Sequence, residues 1–193
     1  MEMRADAVAV AGMLAATSLR VGSGQLAVVA GEPGDGHTAF GLAITGRLRP
    51  TSGTVTGVEP RRAAVVDAPG VSEPEGKLRT ADVIAEALAL AGRRADADEI
   101  ARGHGLDPRA RFEAAPAEAR TALLTDLAAA DLLVLDSPDR HSGDPQAWWP
   151  TALRHARRGR AVVVLCGGAA ARLLPITPAL LGETEQPEPL ETR

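Results

Sequence analysis

The chain has one cysteine, one lysine and no tyrosine among its 193 residues, and aromatic side chains make up only 2% of it. Each shortage removes a class of function. Cys166 has no second cysteine to pair with, so no internal disulfide forms, and its place in the apolar run AVVVLCGG (161–168) fits a reducing compartment. So few rings provide no stacking platform of the kind that holds single-stranded nucleic acid. The basic residues are scattered and the net charge is −4, which argues against a nucleic-acid partner of any kind. The unbroken apolar runs, such as 161–166, are far shorter than the ~20 residues of a membrane-spanning helix, so direct membrane insertion is not expected. The leading MEMRADAV carries acid and lacks the apolar core of a secretory signal.

What is present is ordinary for a globular domain: 45% hydrophobic and 24% charged residues, in a length that buries one full core. Short β-like runs alternate with helical ones, which predicts an α/β fold with a mostly parallel sheet, flanking helices and a short N-terminal β-ribbon. DAVAVAGM (6–13) and SLRV (18–21) read as the ribbon, and 25–30 as a buried strand entering a glycine loop. A helix is predicted from Thr38 to about Leu48, a strand over 63–68, and a helix capped by Thr80 whose Val83, Ile84, Ala87, Leu88 and Ala91 form one stripe. Further helices are expected near 95–102, from Pro116 to about Ala130, and over 146–158, with central strands at 131–136 and 161–166. The reading is one domain over 1–182 with a helical insert at about 78–125. The acidic, proline-bearing 183–193 reads as a disordered tail.

Chemistry is suggested by GEPGDGHT (31–38). It matches the phosphate-binding pattern G-x-x-x-x-G-K-[ST] at every defined position except the lysine, which is His37. Gly31, Gly34 and Gly36 allow the tight turn that points backbone N–H groups at phosphate oxygens, with Asp35, His37 and Ala39 completing the loop and the first helical turn. Thr38 offers a hydroxyl to Mg²⁺, and Asp136, ending the apolar strand LLVLD, offers the carboxylate that a metal's water shell needs.

These blocks together resemble the nucleotide-binding domain of ATP-binding cassette (ABC) proteins. The resemblance runs through SGQLAVVAGEPGDGHTAFGLAITGRLRPTSGTVTG (23–57), LRTADVIAEALALAG (78–92) and RTALLTDLAAADLLVLDSPDR (120–140), and so covers nearly the whole chain. It implies ATP and Mg²⁺ as weakly held ligands, with Gly31, Gly34, Asp35, Gly36, His37, Thr38 and Ala39 around the nucleotide and Thr38 and Asp136 at the metal. It also implies a cytoplasmic place, peripheral to a membrane through a permease subunit, and a second ABC ATPase domain as partner.

The reactive positions depart from the family's pattern, so no catalytic residue is assigned. The catalytic glutamate aligns with Ser137, which is no general base toward water. The switch histidine falls on Gly167, and the signature LSGGQ on EAAPA (113–117). The family's glutamine aligns with Asp67 or Ala68, whose role stays open, and no aromatic precedes Phe40 to stack on adenine. The resemblance therefore implies a degenerate ATP-binding subunit with weak or no hydrolysis. Its rival is a regulatory or scaffolding module of the same fold that binds no nucleotide. Elsewhere, Arg154, Arg157, Arg158 and Arg160 read as a solvated helix face, His104, His141 and His155 as surface residues, and at most one of Trp148 and Trp149 as core.

Overall fold

Alternation along the strands decides which layer each side chain joins. In β7 (Ala161–Gly167), Val163 and Leu165 enter one hydrophobic core and Val162 and Val164 the other, because successive side chains of a strand point to opposite faces. A sheet covered on both faces needs continuous apolar runs, and β6 (Leu132–Asp136) is buried at all of its residues. In the computed structural model, which describes residues 1–192, five strands of the main sheet run parallel in the order β5–β6–β7–β3–β8, and a short sixth strand joins them antiparallel. Here β3 is Gln25–Gly31, β5 Ala63–Val66 and β8 Ala179–Leu180.

A second, antiparallel sheet of β1 (Glu2–Val10), β2 (Leu14–Gly22) and β4 (Ser52–Thr56) lies over one face, in the order β2–β1–β4. Met3, Val8 and Val21 from it meet Phe40 and Ile44 of α1 (His37–Ile44) and the near face of the parallel sheet. On the other face, α5 (Trp149–Arg157) packs Ala152 and Ala156 against Val162 and Val164. Both tryptophans are core, contrary to the expectation of one. Trp148 precedes the helix with φ −141°, off helical geometry, so the rule that neighbours diverge around a helix does not apply, and both indoles enter the same layer.

The insert is built from α2 (Thr80–Leu90), α3 (Ala97–Gly103) and α4 (Ala117–Ala128) around a core of its own, in which Val83, Ile84, Leu88, Phe112, Leu123 and Leu127 are buried. Thr80 is not the cap: it is the first helical residue and its hydroxyl donates to the Ala110 carbonyl at 3.3 Å. Helix α1 ends at Ile44, short of Leu48, because Gly46 turns the chain at φ +72°. Residues 183–192 are laid along the sheet instead of being disordered. β9 (Leu190–Glu191) pairs antiparallel with Gln25 and Leu26, Thr192 N–H donates to the Gly24 carbonyl, and Arg20 pairs with Glu188. Composition counts the segment's charge but not the open edge of β3 that its backbone completes.

Candidate functional site

The phosphate loop leaves the end of β3 and closes onto α1. Gly34 and Gly36 have φ near +100°, a region that side chains disfavour, and Gly36 is the residue from which α1 starts. Position 36 has a second reason to be glycine: a Cβ there would lie 2.2 Å from the Met13 carbonyl, so the tip of the β1–β2 hairpin presses on the loop. Inside the loop, the Glu32 N–H donates to Asp35 Oδ2 at 2.7 Å and the Asp35 N–H to the Glu32 carbonyl at 3.0 Å. One N–H of the cradle is thus taken by the loop's own carboxylate.

Thr38 and Asp136, 98 positions apart, meet: the hydroxyl donates to Asp136 Oδ2 at 2.5 Å. The Ser137 hydroxyl donates to Asp136 Oδ1 at 2.9 Å, and Ser137 itself turns out of the strand at φ +51° with its N–H on the Leu165 carbonyl. His37 does not point along the loop. Its Nε2 is 3.1 Å from the Cys166 carbonyl oxygen, which lays the ring across the ends of β3 and β7, beside Gly31. The Gly167 N–H, at the end of β7, donates to Asp139 Oδ2 at 3.0 Å. Asp139 was not singled out by the sequence, and its other oxygen is buried without a partner. Burial, helped by Asp139, pushes the Cys166 thiol up to about 12, so it stays protonated and chemically inert.

These residues fit an Mg²⁺-nucleotide in part. The glycine cradle is formed, and the Thr38 hydroxyl beside the buried Asp136 carboxylate is a hard oxygen pair suited to a magnesium ion. The charge does not fit: the loop and its floor carry Glu32, Asp35, Asp136 and Asp139, while Lys77, the chain's single lysine, stands exposed before α2. The EAAPA segment forms a 3₁₀ turn over Phe112–Ala114, then an extended Ala115 and Pro116, with neither a hydroxyl nor a glycine to present.

Asp67, one of the two residues that the resemblance set against the family's glutamine, stands at the centre of an ionic cluster. It follows β5 at φ +59° and is buried. Its carboxylate accepts both arms of Arg120 from α4, at 2.8 and 2.7 Å, and Arg140 at 3.0 Å, with His141 Nε2 also 3.0 Å away. Arg140 further donates to the Asp67 carbonyl at 2.6 Å and to Glu73 at 3.1 Å, and the buried Arg120 stacks 4.7 Å over Phe112. Burial chiefly, with Arg120 and Arg140 adding to it against the pull of Asp67, holds His141 below the ordinary imidazole value.

None of the three histidines is a plain surface residue. His104 Nε2 and His155 Nε2 lie 3.1 and 3.0 Å from Asp126 on α4, and His155 is wholly buried. Arg154 also leaves the solvated face to donate to Asp126 at 3.0 Å, and Arg160 lies 2.8 Å from His155 Nδ1, while Arg157 and Arg158 stay exposed. Burial alone would raise the Asp126 carboxyl, but His155, Arg154 and His104 outweigh it and hold it well below the usual carboxylate range.

No family model matches the chain, and no curated protein does. Solved structures do. A putative ABC transporter ATP-binding protein from Pyrococcus furiosus aligns with a TM-score of 0.73 at 17% identity, over 93% of this chain and 96% of that one. An ATP-binding subunit of an ABC transporter aligns at 0.68 and 16% identity, over 94% and 86%. A bacterial ABC transporter cassette, solved as a dimer, aligns at 0.69 and 16% identity over 99% of both chains. The chain has the fold of ABC transporter ATP-binding subunits across its length.

Proposed function

We propose that this chain, with the fold of an ABC ATP-binding subunit, is a degenerate member of such an assembly that holds Mg²⁺-ATP weakly and does not hydrolyse it. The observation that carries the reading is the joining of a formed glycine loop to the Thr38–Asp136 pair, 2.5 Å apart, with Ser137 in the place of a base. The loop's N–H groups would face phosphates, and Thr38 and Asp136 would hold the metal, which when bound would neutralise phosphate charge. Ser137 donates its proton to Asp136 and has no basic atom to give to water. Its place is cytoplasmic, beside a membrane permease subunit and a second ATPase domain. Among the described residues no helix is long and apolar enough to cross a membrane. A groove of about 660 Å³ between β5 and α2, where Leu78 and Leu90 are exposed beside Arg47, Glu75 and Glu86, offers such a partner a face of mixed character.

One observation favours the rival, a scaffold that binds no nucleotide: Asp35 already occupies the Glu32 N–H. Titrating the purified chain with Mg²⁺-ATP, alongside a phosphate-release assay, separates the two. Weak saturable binding that Asp136→Asn abolishes, with release no faster than in that variant, supports the proposal. Absence of binding supports the scaffold, and turnover that Asp136→Asn removes overturns both.

A further inference from the structure

One 3₁₀ turn, Pro138–Arg140, faces two ways. Asp139 reaches the Gly167 N–H at the end of β7, beside the phosphate loop. The next residue, Arg140, reaches the Asp67 carbonyl at 2.6 Å, the Asp67 carboxylate at 3.0 Å and Glu73 at 3.1 Å. From Asp67 the path continues through the two-armed bond to Arg120 on α4, inside the insert. We infer that this line of ion pairs, completed at the loop by the Asp139–Gly167 hydrogen bond, is a mechanical coupling, which fastens the helical insert to the sheet and ties it to the floor of the loop so that neither opens alone.

Three features argue for coupling over general stabilisation. The insert's apolar core is separate from the two cores of the sheet, with Leu124 touching both sides, so the polar cluster stands at the seam where orientation is set. The charges match: two guanidiniums, Arg120 and Arg140, against two carboxylates, Asp67 and Glu73. A fork-shaped guanidinium fixes direction as well as distance, which a point charge does not. The carboxylates and His141 stand within 4.8 Å of one another, as ligands to a metal would, but the two guanidiniums already hold them, so the cluster is a fastener and not a metal centre.

Hydrogen exchange of the full-length chain, followed by mass spectrometry, tests this without any nucleotide. Arg140→Gln should speed exchange on the order of tenfold in α2 and α4 and also at the β7–α6 junction around Gly167 (α6 is Gly168–Ala171), while the β1–β2 ribbon keeps its protection. Arg62→Gln, which breaks the exposed pair with Asp131, should change neither region. Faster exchange confined to residues 67–79, or in only one of the two regions, overturns the coupling, as does a uniform rise that includes the ribbon. Should Arg140→Gln not fold, Glu73→Gln neutralises the partly exposed carboxylate that meets both guanidiniums. A smaller rise in the same two regions supports the coupling, and no rise overturns it.

Discussion

The phosphate loop and the Asp67 cluster use charge in opposite ways. In the loop, Glu32 and Asp35 are exposed, the floor adds Asp136 and Asp139, and the hydrogen bonds run to neighbours a few residues off or across strand ends, with one oxygen of Asp139 left without a partner. In the cluster, Arg120 and Arg140 are matched by Asp67 and Glu73, and Arg120 and Asp67 are buried together. Backbone geometry and charge are therefore separable. Gly34 and Gly36 keep the cradle without a lysine to serve it, while a buried ionic network stands where the fold needs its insert held.

The comparison breaks first on stability. Asp67→Ala leaves the buried Arg120 only the longer 3.6 Å contact with Glu73, and removing one partner of such a buried pair typically costs about 3–5 kcal/mol. Thr38→Ala, in the loop, loses one hydroxyl bond to Asp136 and should cost about 1 kcal/mol. Urea unfolding of both variants checks the ordering. Equal costs would mean that the cluster is no more structural than the loop.

A smaller effect is expected from pH. Because burial, with Arg120 and Arg140, holds His141 below its ordinary value in the folded chain, the unfolded chain takes up the proton first as pH falls through about 6.5. The His141 contribution is thus complete above that pH and lost as pH falls through the lower folded value. Asp126, also held low, keeps its contribution until pH falls below the usual carboxylate range. Between pH 7.5 and 5.5 the wild type should lose unfolding free energy, and His141→Gln should lose less. Equal losses would remove His141 from the account.

The same contrast governs what the sequence discloses. Glycine spacing, a strand before and a helix after put the loop on the page, because the residues that build it are contiguous and their backbone demands are specific. Asp136 followed from its apolar strand. The cluster was hidden because its members stand at 67, 73, 120, 140 and 141 and meet only when α4 packs beside β5 and the β6 strand ends next to both. His155 looked exposed on a basic segment, yet α5 turns it toward Asp126. The ordered 183–192 was equally out of reach, since the edge it completes exists only once the sheet has formed.

The loop's side of the comparison is sharpened by ligand affinity, read in His37→Lys. The imidazole is drawn onto the Cys166 carbonyl, so it contributes little charge where phosphates would lie among four carboxylates. A lysine keeps its charge and carries it on a longer, flexible stem from the same first helical turn. Binding of Mg²⁺-ATP should tighten about tenfold, equivalent to about 1.4 kcal/mol, while Asp35→Ala, which frees the Glu32 N–H and removes one repelling carboxylate, should give a severalfold gain. Neither should restore turnover, since Ser137 still offers no base and Gly167 no imidazole. Titration calorimetry and phosphate release on the two variants and the double variant read both points. Turnover that appears in His37→Lys and is absent from the wild type would show that the lysine position, and not the Ser137 position, limits this site.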